Sequence, residues 1–135
     1  MSEKTQGARN IAEEAFGNER KFKQLVGALS GPSRRERQNA AAALSFFAKE
    51  HPDLMIPFGA AVIDALNRPE AQTRWECLDI LTTMVDHDSR TCDKAVPGAE
   101  TALFDEESGP VRLAAMRFLC KLGAVSYTHL TLPTT

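Results

Sequence analysis

The side chains of this 135-residue chain that could do chemistry are few, and their spacing sorts them quickly. Asp86, His87, Asp88, Cys92 and Asp93 stand close together, and all are metal-ligand types. Their spacing matches no zinc or calcium pattern, since there is no Cys-x-x-Cys pair and no twelve-residue loop with its glycine. The expected reading is a helix end followed by capping acids, with no metal and no cofactor. Ser33, Ser45, Ser89 and Ser108 lack the strand–turn–helix context of a nucleophile, and His51 and His87 lie at helix ends. No glycine-rich phosphate loop is present. No enzymatic activity is therefore expected. Three arginines, Arg37, Arg74 and Arg112, recur at intervals of 37 and 38 residues. They could form a row of guanidinium groups that reads an acidic ligand, or they could hold neighbouring turns together. Positions that repeat with the fold favour the second role. Lys21, Lys23, Arg34 and Arg35 make the first part of the chain basic. Residues 1–50 carry nine Lys/Arg and six Glu, a balance of +3, and residues 51–124 carry seven Lys/Arg and twelve Asp/Glu, a balance of −5. Arg34 and Arg35 are candidate partner contacts on that account, and Trp75 is a third, as a core-packing tryptophan or an interaction anchor.

The elements that position these residues repeat. Ala28-Leu29 returns as Ala65-Leu66 and Ala102-Leu103, and Leu44, Leu81 and Leu119 each follow their arginine by seven residues. Self-similarity at this period means stacked helical hairpins. The fold class expected is all-α: an α-solenoid of about three hairpins, at about 19–51, 52–88 and 89–123, behind an N-terminal capping helix in residues 1–18. In the first unit Phe22, Leu25, Val26 and Leu29 form one stripe, and Ser33 caps a second helix running to about Glu50. In the second unit one helix is expected from Asp53 or Leu54 to Leu66, with Pro57 in its first turn, then a long helix from Glu70 to about Val85. In the third, Pro97-Gly98 kinks or restarts the short helix. The long helix is expected from Pro110 to Leu122, with Gly123 in the C′ position.

Composition adds limits. No apolar run approaches the ~20 residues of a membrane helix, and the first residues have no apolar leader-like core. Cys77, Cys92 and Cys120 make an odd number, and two of them sit at core offsets. Buried free thiols in a reducing compartment are expected, with the cytoplasm as the default location.

The short-helix/long-helix pairs, with Ala-Leu, a turn, an arginine, an apolar pair and a leucine in each, resemble HEAT repeats over about residues 19–123. The long helix of a HEAT unit opens with Val-Arg. Val111-Arg112 matches that opening, whereas Glu36-Arg37 and Thr73-Arg74 keep the arginine alone. The family tends to have an aspartate six residues before that arginine, where this chain has Gly31, Arg68 and Glu106. Only the third unit keeps an acid there, so the first two depart from the family's aspartate–arginine ladder at that position. It implies a right-handed superhelix whose concave face binds a partner, and no catalysis. The expected function is a protein-interaction scaffold. The alternatives are a nucleic-acid-binding solenoid of the DNA-scanning or glycosylase-like kind, and the regulatory arm of an enzyme whose catalytic part lies elsewhere. The nucleic-acid reading requires Lys21, Lys23, Arg34 and Arg35 to line the concave face. Neither a membrane nor a small-molecule substrate is implied.

Residues 124–135 stand apart. Val-Ser-Tyr-Thr-His-Leu-Thr-Leu-Pro-Thr-Thr, from Val125 to Thr135, carries no charge and the chain's only tyrosine, and it resembles a translated sequencing adapter. A non-native tail is expected there, with the natural protein running on beyond Gly123.

Overall fold

The computed structural model describes residues 3–131, and the side chains of residues 3 and 5–125. Among the described residues all regular structure is helical. No helix among them is long and apolar enough to cross a membrane.

The first helix, α1 (Glu3–Ala15), buries Ala8, Ala12 and Ala15 at three- and four-residue spacing. Gly17 ends it at φ +82, a left-handed turn that costs glycine nothing. Asn18 then accepts the Lys21 amide at 3.1 Å and opens α2 (Glu19–Ala28). Ser33 does the same for α3 (Arg34–Glu50), its Oγ accepting the Glu36 amide at 3.3 Å. Ala40 to Ser45 are all buried, so the middle of α3 lies between neighbours on several sides.

Where one helix is expected over 53–66, the chain forms four short pieces. These are α4 (Pro52–Met55), a tight turn at Ile56–Phe58, α5 (Gly59–Asp64) and a second tight turn at Ala65–Asn67. Pro57 causes the break, because it has no N–H to give to the Asp53 carbonyl. Ile56 reaches that carbonyl instead, one residue short of α-helical spacing. The next helix, α6 (Ala71–Met84), buries Cys77, Leu78, Ile80, Leu81 and Met84. The third short segment divides at its proline into α7 (Ser89–Asp93) and α8 (Val96–Leu103), with Pro97 in the first turn of α8.

The last helix, α9 (Gly109–Thr131), corrects the boundary expected at Gly123. Gly17 is the only glycine at positive φ, so Gly123 makes no left-handed cap and the helix passes through it. The expectation of a non-native tail falls partly on residues 132–135, which lie outside the described residues.

The long helices pack in chain order, α1 on α3, α3 on α6 and α6 on α9. The shorter elements pack on these helices and on one another: α2 on α3 and α5, α5 on α6 and α7, and α8 on α9. A single continuous core results, from Ala12 and Phe22 at one end to Phe118 and Leu122 at the other.

Candidate interaction face

The repeated arginines are built into the joints between long helices. Arg37, on α3, donates from Nε to Glu70 Oε2 at 2.7 Å and from a terminal nitrogen to Oε1 at 2.9 Å. Its remaining nitrogen donates to the Gly31 carbonyl at 2.9 Å. Glu70 stands just before α6 with its side chain wholly buried, and the Thr73 hydroxyl donates to it at 2.8 Å. The Arg37 hydrogen bonds hold the Glu70 carboxyl down at about 2, against the contrary pull of burial. Arg74, on α6, reaches Asp105 ahead of α9 at 2.6 Å. Asp105 also accepts the Glu107 and Ser108 amides, each at 2.8 Å. The Arg74 contact first, and then these amides, keep its carboxyl at about 2. Arg112, on α9, donates to the Asp105 carbonyl at 2.6 Å.

Arginine–acid contacts therefore join α3 to the start of α6 and α6 to the turn ahead of α9, although Gly31 and Arg68 hold the positions six residues before the first two arginines. The acids come from other positions, Glu70 and Asp105, set 33 and 31 residues beyond their arginines. The irregular interval is what hid them from a periodic reading. Arg68 turns backward, donating to the Leu29 carbonyl at 3.1 Å and pairing with Asp64 at 2.7 Å.

Trp75 is half-buried against the core and looks into a groove of about 330 Å³ between α1, α3 and α6. Phe46 forms a second aromatic wall, and Ser45, Lys49, Gln72 and Glu76 supply polar groups. Burial, then the neighbouring Asp79, pushes the Glu76 carboxyl up to about 7, with Lys49 pulling the other way. Burial likewise raises Asp79. Sequence reading missed Glu76; its only signal was a glutamate directly after Trp75 on the same helix.

The basic residues do not converge on that groove. Lys21 pairs with Glu14 at 3.6 Å, and Lys23 with Glu19 at 2.9 Å, both from α2. Arg35 lines a separate groove between α1 and α3 beside Glu3, Gln38 and Asn39. Arg34 is exposed in the first turn of α3. A cavity of about 750 Å³ is walled by Phe22, Phe47, Leu54, Pro57 and Phe58. It was not foreseen, because only the turn at Pro57 brings Phe58 to Phe22, at 5.0 Å between ring centres.

Three of the residues weighed as metal ligands, Asp86, Asp88 and Cys92, make other contacts. Asp88 caps α7, accepting both the amide and the hydroxyl of Thr91. Asp86 pairs with Lys121 at 2.9 Å. The Cys92 thiol points into the core, donating to the Leu81 carbonyl at 3.5 Å, and burial raises it to about 12. Burial also raises the Cys77 thiol. Cys120 is exposed. Among the described residues no group of three or more His, Cys, Asp or Glu is placed to hold a metal ion.

Comparison with protein-family models and with curated proteins finds no match.

Proposed function

We propose that this chain is a HEAT-like α-solenoid and acts as a non-enzymatic scaffold, docking a protein partner on the exposed side of its long helices. The repeated joint carries the reading: each of two long helices sends an arginine to an acid placed just ahead of the next long helix. Such joints fix a rigid rack of helices and leave the side chains on its open face free to contact a partner. Trp75 is the anchor on that face, held half-buried by its groove and so presented with little entropy left to lose. The warrant for the solenoid is the period together with the joint, and the warrant for protein docking is the amphipathic groove around Trp75. The reading places the protein in the cytoplasm, in keeping with its buried thiols.

A photo-crosslinking residue at position 75, compared with one at exposed Ala60 on α5, tests the reading in cells of the source organism. A protein adduct of one defined mass at 75 and none at 60 is the expected result. Adducts with nucleic acid at 75, or equal protein labelling at both positions, would replace the scaffold reading.

A further inference from the structure

Phe104 is the most exposed large apolar side chain among the described residues, at 77%. It stands at the end of α8, where its amide donates to the Thr101 carbonyl at 3.2 Å. The turn after it is pinned, because Asp105 accepts the Glu107 and Ser108 amides. The ring is therefore presented on a fixed mount, with little freedom left to lose on contact. The free charge around it has one sign. Glu100, Glu106 and Glu107 are exposed, and none has an ion pair among the described residues.

The cavity of about 750 Å³ supplies the matching socket. Phe22 stacks on Phe47 at 4.6 Å and meets Phe58 edge-on at 5.0 Å, so a further ring entering it meets aromatic walls. Of the charges in its lining, Glu19 and Lys23 pair with each other at 2.9 Å, and the Asp53 carboxylate remains. That carboxylate repels an acid, so acids carried beside a ring must stay outside. Arg20 adjoins Glu19 and Lys23 in a neighbouring hollow, exposed and without an ion pair among the described residues. It is a place for such acids. The cavity is built from α2, α3 and α4, whereas α8 packs on α9. Phe104, being exposed, does not fill the cavity of its own molecule.

We propose that this chain associates head to tail with a second copy of itself, Phe104 of one molecule entering the Phe22–Phe47–Phe58 cavity of the next and the acids beside it meeting Arg20. The balance of +3 over residues 1–50 and −5 over residues 51–124 has the sense this arrangement needs. The contact is heterologous: every molecule uses one knob and one socket and still offers another of each, so association runs on into rings or filaments. A single aromatic anchor makes a small interface, and the association is weak. Trp75 takes no part in it.

Sedimentation equilibrium of the 135-residue chain at up to about 1 mM tests the proposal. The average mass is expected to rise past that of a dimer. Phe104→Ala and Leu54→Glu, both at exposed positions, should each weaken association by roughly tenfold or more. The deciding sample is a mixture of the two. Phe104→Ala keeps its socket and Leu54→Glu keeps its knob, so together they should form a one-to-one complex and nothing larger. A chain that stays monomeric or stops at a dimer overturns the proposal, and so does a mixture that associates no better than its components. Association that Phe104→Ala leaves intact and Met116→Asp abolishes overturns it too, because exposed Leu113 and Met116 on α9 would then form the contact. None of these results bears on the position-75 crosslink, so the two readings fall separately.

Discussion

The joint between α3 and α6 and the joint between α6 and α9 use the same residue type in different ways. In the first, Arg37 spends three nitrogens, two of them on a wholly buried carboxylate that Thr73 also holds. In the second, Arg74 makes one contact to Asp105, and its buried Nε has no hydrogen-bond partner. Asp105 does not depend on that contact alone, since two backbone amides already satisfy it. A repeated arginine thus marks a repeated place in the fold, not a repeated energy. What the joint is worth depends on how much of the charge is buried and how many other donors reach it.

The largest expected break in this comparison is at the first joint. Glu70→Gln should cost about 3 kcal/mol, because it leaves Arg37 facing a neutral amide in a mostly dry site, and urea unfolding measures the loss. In α5, Gly59→Ala should cost about 2 kcal/mol by overpacking. A methyl group there would lie 2.6 Å from Thr91 Cγ2, and Thr91 is pinned by Asp88. Gly98→Ala is the control, since its tightest contact is the flexible end of Leu66, at 3.0 Å, and its midpoint should fall by less. Arg74→Met should cost only about 1 kcal/mol, because it removes an unsatisfied nitrogen together with one charged contact. If Arg74→Met proves as costly as Glu70→Gln, the contrast between the joints is wrong.

The pH dependence sharpens the same contrast. Glu70 and Asp105 both titrate at about 2 in the folded chain, below their unfolded values. Their contribution is complete above about pH 4.5 and is lost as pH falls toward 2. Glu76 has the opposite sign. Its folded value of about 7 lies above the unfolded one, so its contribution is complete below about pH 4.5 and is lost as pH rises through 7. Thermal melts should show both limbs. Glu76→Gln should remove the upper one and leave the acid limb, which Glu70→Gln weakens. An upper limb that survives in Glu76→Gln would assign it to another group.

Much of the helical order was legible because its causes are local. Ser33 and Gly17 act on the amides and turns beside them, and the 37-residue punctuation fixed which helices are long. The boundary at Gly123 was misread because a glycine ends a helix only if the chain turns left-handed there, and nothing nearby makes it turn. The broken segment over 52–67 was misread because Pro57 was placed in a first turn when the chain had already begun its helix at Pro52.

The candidate face was legible at one residue, Trp75, and at no other member of its groove. Its walls come from α1, α3 and α6, and no spacing along the chain relates Phe46 to Glu76. By itself, then, the sequence determined the all-helical class, the period, the joint arginines and the inward thiols of Cys77 and Cys92, since these follow from local propensity and from apolar spacing along single helices. Tertiary structure alone decided which acids answer the arginines, why Glu76 resists ionisation and why Met116 stands open while Leu78 is covered. Each of these depends on how the helices pack on one another, which no spacing along a single helix chooses.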